Sequence, residues 1–343
     1  AIKNIEQLNA NIDEHWVEGL HNFILIDEVQ EIESWEKSVR SYRTEEDTDI
    51  IITGSNSKML SSELSTLIGG RYHEIYVQSL SYQEFLLFHE LEDNDDALSK
   101  YINYGGLPGL KQVGLDDEEF VWDYIRAVFH TVMLKDIVER NNIRNVSFLN
   151  TLLRYFADTI GKLSSLNNIS KFMKSQGLDV SVKSIAAYLN YFRDAYLLLT
   201  VDRFDIHGKK LLESNEKIYF GDVGLRNLIA GGERQGDIEK ILENIVYQQL
   251  VRMGYAVSVG QLRASEVDFV CTKSNERLYV QVAYLIASEE TEEREFGSLD
   301  NIKDNYPKYV ISMTPLVRRS DRLGVTHLGL REFLKNGFEK KMP

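Results

Sequence analysis

Short apolar runs alternate with amphipathic stretches over residues 1–90. Residues 23–26 are four apolar residues in a row, residues 49–53 read DIIIT and close on Gly54, and residues 74–77 form a third run. Between them, residues 2–20, 34–42 and 57–67 set apolar side chains at helical spacing. Brief apolar runs bounded by turn residues are the signature of buried strands. Alternation with helices predicts a parallel sheet covered on both faces.

The pattern then changes. Residues 81–147 are mostly helical: 82–91 are apolar on one face, 98–104 lead into GGLPG, and 117–141 predict one long helix with acidic residues at its start. Helices over 149–160, 166–175 and 182–192 precede strands at 196–204 and 217–220, which read as a hairpin around the polar loop DIHGKKLLESNE. Three helices and a hairpin outline a winged helix-turn-helix. From 237 the chain returns to α/β order. A helix over 237–253 precedes a strand at 255–260, a hairpin of 266–272 with 278–283 around KSNE, a strand at 309–313 and a helix at 330–336. No internal repeat or low-complexity segment interrupts this series.

Composition narrows the class. With 343 residues, 43% hydrophobic and 27% charged, the chain has material for two or three cores. A net charge of -14 gives no overall basic field for nucleic acid, although a local patch is compatible with it. One cysteine, Cys271, rules out an internal disulfide framework and fits a reducing, cytoplasmic setting. No apolar run reaches the length of a membrane span, so no membrane is expected as partner. The seven histidines are scattered without metal-ligand spacing, and no G-x-S-x-G elbow occurs.

The chemistry concentrates first at Asp27-Glu28, which ends the apolar run of FILIDEVQEIESWE. A carboxylate at the carboxyl edge of a parallel sheet sits where ligands bind. The first acid of such a pair can hold Mg²⁺ and the second can orient or deprotonate an attacking water. The alternative is a solvated strand end. Thr53-Gly54-Ser55-Asn56 closes the next run, beside the acids in a parallel sheet, where small polar groups could sense a γ-phosphate or cap a helix. Arg71, after Gly69-Gly70, is suited to neutralising phosphoryl charge or to an ordinary surface position. Trp35 fits core packing or a partner-facing role. The phosphate loop G-x-x-x-x-G-K-[ST] is absent from the sequence, and Gly208-Lys209-Lys210 is its nearest imitation. The chain starts at Ala1, and the expectation is that a segment carrying the loop precedes it.

The ordered set FILIDEVQEIESWE, IITGSNSKMLSSELSTLIGGRYHEIYVQSLSYQEFL, YGGLPG, NEKIYFGDVGLRN, LENIVYQQL, EVDFV and YVQVAYL resembles a family of prokaryotic AAA-type P-loop ATPases with a carboxy-terminal DUF4143 domain. The resemblance spans nearly the whole chain. It implies a fold of α/β class: an N-terminally incomplete P-loop NTPase-type parallel sheet over residues 1–80, a helical lid over 81–147, a winged-helix segment over 148–236 and a restriction-endonuclease-like α/β domain over 237–343. Its cofactors would be ATP and Mg²⁺. By carry-over, Asp27 and Glu28 match the Walker B carboxylates, Ser55 or else Asn56 the sensor, and Arg71 the arginine after the paired glycines.

In the terminal segment, Glu243 on a helix, Asp268 on a strand and Gln281 on the next strand are similar to a nuclease site. Such a site needs two acids for a metal and an E-x-K or Q-x-K lysine. Ala283 stands where the lysine belongs. Glu266 adds a carboxylate and Lys303 is a remote substitute, so a degenerate nuclease fold is the expectation. Lys183, Arg193, Arg203, Lys209 and Lys210 around the winged-helix segment could meet DNA phosphates, with Asp194, Asp202, Asp205 and Glu213 among them. Three functions follow: an ATP-hydrolysing regulatory switch, a nucleic-acid-binding or DNA-processing protein, or a non-catalytic scaffold with a protein partner or a second copy.

Overall fold

Strand β1 (Asn22–Ile26) pairs in parallel with β2 (Thr48–Ile52), with Ile24 opposite Ile50 and Ile26 opposite Ile52. This is a computed structural model, describing residues 2–56, 72–232, 235–262, 265–315 and 320–339. Two units divide it: residues 1–77 with 191–196, and residues 78–190 with 197–343.

In the first unit, helix α1 (Ile5–His15) is capped by Asn4, whose side chain accepts from the Gln7 N–H. Helix α2 (Trp35–Tyr42) packs against α1. Leu8, Ile24, Ile26, Val29, Ile32, Trp35 and Val39 form one core, which assigns Trp35 to packing. Only one face of the β1–β2 pair joins this core. Phe23 is 65% and Leu25 71% exposed, because successive side chains of a strand point to opposite faces. Among the described residues, cover is found on the face that carries Ile24 and Ile26. Residues 74–77 pair with no strand among the described residues, and Val77 is 83% exposed. The predicted helix at 57–67 lies outside the described residues, as does Arg71.

The second unit opens with helices α3 (Tyr82–His89), α4 (Asp95–Tyr104), α5 (Leu110–Val113) and α6 (Glu118–Thr131). Helix α6 continues through Val132–Glu139 in wider, π-type turns, so the single long helix read over 117–141 has a change of winding within it. Next come α7 (Val146–Asp158), the short β3 (Leu163–Ser164), α8 (Leu166–Ser175), α9 (Val182–Asp194, of which residues 191–194 are counted with the first unit) and the hairpin β4 (Leu198–Asp205) and β5 (Lys210–Phe220). Most of the expected polar loop is strand, so the turn shrinks to residues 206–209.

The remaining elements are α10 (Val223–Ala230), α11 (Ile238–Arg252), β6 (Ala256–Gln261), β7 (Glu266–Lys273), β8 (Glu276–Ala283), α12 (Glu289–Asp300), β9 (Lys308–Ser312), β10 (Ser320–Arg322), β11 (Val325–Gly329) and α13 (Leu330–Asn336). The strands make one sheet in the order β10-β11-β9-β8-β7-β6-β4-β5-β3. It is mixed: β4 with β6, β8 with β9 and β9 with β11 run parallel, and the other pairs antiparallel. Ile206, Val267, Val270, Tyr279, Phe296 and Leu299 belong to the core on the α12 side.

Two sequence motifs meet in this unit for structural reasons. The buried Asp222 carboxylate accepts from Gly106 N–H at 2.9 Å and from Gly224 N–H at 2.8 Å, tying GGLPG to GDVGLRN. Gly105 has φ +76, and a Cβ there would lie 2.2 Å from Asp222 Oδ1. Glycine is thus required by both backbone and space. Arg226, fully buried, donates to Ala157 O at 2.9 Å and to Asp237 Oδ2 at 2.7 Å.

Candidate functional site

The first candidate site lies at the carboxyl ends of β1 and β2. Thr53 continues β2: its N–H donates to Ile26 O at 2.9 Å, and its carbonyl accepts from Val29 N–H at 3.0 Å. Its hydroxyl donates to Asp27 Oδ1 and accepts from Glu28 N–H at 3.1 Å. Asp27 is exposed and Glu28 half-buried. Glu28 adopts φ 50, a left-handed conformation that costs a non-glycine residue roughly 1–2 kcal/mol and turns the chain sharply off the strand. The Gln30 amide donates to Glu28 Oε2 and, at 3.1 Å, to Ser55 Oγ. Asp27, Glu28 and Ser55 are thereby brought into one hydrogen-bonded group, connected by Thr53, already named with the small polar groups of the sequence, and by Gln30, which the sequence did not single out. Asn56 is buried in the same segment.

The second candidate is an open cleft of about 420 Å³ in the large sheet. It is lined by Glu243 of α11, Asp268 and Glu266 of β7, and Gln281 of β8. A lysine from another strand, not from the Q-x-K position, reaches these acids. Lys217, on β5, places Nζ 2.6 Å from Glu243 Oε1, 2.7 Å from Glu266 Oε1 and 3.3 Å from Asp268 Oδ1. Lys303, the remote substitute considered above, instead donates to Asp300 O. Lys217 and Tyr219 share one face of β5 by strand alternation, and the Tyr219 hydroxyl also donates to Glu243 Oε1. The sequence carried a faint signal: a lysine and a tyrosine two apart in the otherwise apolar strand KIYF.

Neighbours fix the acids. Asp268 Oδ2 accepts from Val282 N–H at 2.9 Å, and its N–H donates to Gln281 Oε1 at 3.2 Å. Gln281 passes the chain on to Glu295 Oε2 at 3.2 Å, and Arg294 pairs with Glu295 at 2.7 Å. Burial pushes the Glu243 carboxyl up, reinforced by the Asp268 charge and opposed by Lys217 and Tyr219, to about 7. Burial disfavours the Lys217 ammonium, but Glu243, Asp268 and Glu266 outweigh it and hold the amine above its ordinary value. Burial and the Glu243 charge push the Tyr219 phenol up as well.

Comparison with known proteins places the chain. It is 38% identical over 294 residues to an uncharacterized protein of Haemophilus influenzae, covering 84% of this chain and 72% of that protein. The chain belongs to the family of that protein. A second relative, an uncharacterized protein of Methanocaldococcus jannaschii, is 30% identical over 298 residues, covering 82% of this chain and 65% of the relative. The chain thus spans roughly two thirds to three quarters of their lengths. Residues 2–86, which bear Asp27 and Glu28, match the AAA domain family. Residues 95–235 match a domain of unknown function, DUF8612, where the sequence had suggested DUF4143 further along. Among solved structures, a Walker-type ATPase of Pyrococcus abyssi is similar, with 14% identity and a TM-score of 0.43 over 65% of this chain and 66% of that one. Among the described residues, no helix is long and apolar enough to cross a membrane.

Proposed function

We propose that this chain is the greater part of an ATP-hydrolysing switch, acting in the cytoplasm, in which ATP turnover drives a conformational or regulatory change. The observation that carries the reading is the Thr53 hydroxyl. It bridges Asp27 and the Glu28 backbone at the carboxyl ends of two parallel strands. This is the edge of a parallel sheet where phosphates are bound, and the AAA match over residues 2–86 supports it.

In this reading Asp27 holds Mg²⁺, and the fit rests on an exposed carboxylate already oriented by a hydroxyl. Bound Mg²⁺ supplies charge neutralisation on the phosphoryl oxygens. Glu28 takes the proton from the attacking water, held by its left-handed backbone and by Gln30. Ser55, with Asn56 beside it, reports on the γ-phosphate, and Arg71 stabilises developing charge. The grip on the phosphates requires a G-x-x-x-x-G-K-[ST] segment, which this sequence does not contain. The test is Glu28→Gln in the full-length protein. ATP turnover should fall by at least about 100-fold with nucleotide affinity retained, and unchanged turnover removes Glu28 from the role.

A finer assignment goes with this. The order α7-β3-α8-α9-β4-β5, with β3 and β4 on either side of β5, supports a winged helix, and the cleft-bearing sheet supports a nuclease-like domain. The exposed Lys209 and Lys210 at the hairpin turn favour DNA contact as a second reading. Their joint replacement should abolish salt-dependent DNA binding, and binding that persists unchanged rejects a wing contact.

A further inference from the structure

The three carboxylates of the large cleft converge on a single point, and that point is occupied by the Lys217 nitrogen. An ammonium has three protons, and three acceptors face it: Glu243, Glu266 and Asp268 at 2.6, 2.7 and 3.3 Å. We propose that Lys217 is the built-in cation of this cleft. Its ammonium takes the place at which the acid set would otherwise gather a divalent metal ion, so the native cleft binds no metal and the acids form a latent metal site.

Four observations carry this. The first is spacing. Hydrogen-bond separations of 2.6–3.3 Å are wider than the roughly 2.0–2.1 Å bonds of Mg²⁺ to oxygen, so the acids are set for an ammonium.

The second is anchorage. The Lys217 backbone is paired on both sides, opposite Leu163 of β3 and Val201 of β4, and the residue is 3% exposed. A side chain so placed cannot swing into solvent to vacate the site as a surface lysine can. The third is commitment of neighbouring donors and acceptors. Asp268 Oδ2 accepts from Val282 N–H, Glu243 Oε1 accepts from Tyr219 as well as from Lys217, and Gln281 is held by Asp268 N–H and Glu295. The fourth is the cost of the alternative. A divalent ion entering beside a buried ammonium would meet a like charge within bonding distance of its own ligands, in a setting that screens poorly.

The proposal predicts a gain of function on removing a charge. Mn²⁺ is titrated into the intact chain, with binding read by calorimetry and by thermal shift. The proteins are the wild type, Asp268→Asn, Lys217→Met and the Lys217→Met/Asp268→Asn double variant. The expected result is that wild type and Asp268→Asn respond to Mn²⁺ alike, whereas Lys217→Met gains a saturable rise in melting temperature of several degrees that the double variant lacks. Mn²⁺ binding by the wild type that disappears in Asp268→Asn overturns the proposal, as does metal-dependent cutting of plasmid DNA with the same dependence. A folded Lys217→Met protein that gains no Mn²⁺ response also overturns it. Should Lys217→Met fail to fold, the comparison of wild type with Asp268→Asn decides alone: a shared absence of Mn²⁺ binding supports the built-in cation, and Asp268-dependent binding refutes it.

Discussion

Lys217 Nζ lies 2.6 Å from Glu243 Oε1, joining strand β5 to helix α11 inside the large sheet. Both groups are buried, so each is the other's replacement for water. Taking one partner away leaves a charge in a medium that solvates it poorly.

Replacement of Lys217 by Ala is therefore expected to cost about 3–5 kcal/mol. Urea unfolding in EDTA should show a lower midpoint with an unchanged slope. A change under about 1 kcal/mol would mean that the acids are hydrated in solution and that the ion cluster contributes little.

Glu243 gives a pH signature whose sign is set by the direction of its shift. Its carboxyl titrates near 7 in the fold and near 4.5 when unfolded. Between those values the folded protein holds a proton that the unfolded chain has released, so stability falls as pH rises through the window. Glu243→Gln removes that proton exchange. Melting temperatures from pH 4.5 to 7.5 should decline more steeply for wild type than for the variant, and parallel profiles would assign the slope to other groups.

Gly105→Ala tests the glycine motif. The added methyl would sit 2.2 Å from Asp222 Oδ1 at a backbone φ of +76. Clash and backbone strain together should cost about 3 kcal/mol or more. Gly114→Ala shares the positive φ without any neighbour within 4 Å, so it reports the backbone part alone. Thermal unfolding of the two variants side by side should separate them clearly.

Thr53→Val probes the proposed nucleotide site without touching either acid. Losing the hydroxyl removes the support of both Asp27 and the Glu28 N–H. In the full-length protein the Mg²⁺ requirement for ATP turnover should rise about 10- to 100-fold. An unaltered Mg²⁺ dependence would place Thr53 outside the metal's support.

Cys271 is buried on β7, and burial pushes its thiol well up. Alkylating reagents should leave it untouched in the native protein and label it only as fast as the sheet opens. Rapid labelling without unfolding would show that β7 is accessible.

Much of this was legible in the sequence, for identifiable reasons. The β7–β8 hairpin announces itself through EVDFVCT and LYVQVA around a polar turn, and α11 through its length. Asp27-Glu28 stood out because acids after an apolar run break the pattern. Residues 74–77 have strand-forming side chains, yet a strand needs a neighbouring edge, and among the described residues none pairs with them. Helix α12 was hidden because EETEEREFGSLD buries only Glu295, Phe296 and Leu299, too few apolar positions to mark a face. Lys217 does not stand where the Q-x-K spacing points, two residues along from Gln281 on the same strand. The ammonium reaches the cleft through the pairing of distant strands, which local spacing does not encode.

The stretch that joins β5 to α11 has a consequence for how this protein can vary. Lys217 precedes that join in the chain, and Glu243, Glu266 and Asp268 follow it. A gene crossover between residues 221 and 237 would exchange one set without the other. A donor sequence lacking the lysine would bring together unneutralised acids, and a donor lacking the acids would strand a buried ammonium. The two sides of the join are therefore constrained to be inherited together, as a single unit of exchange.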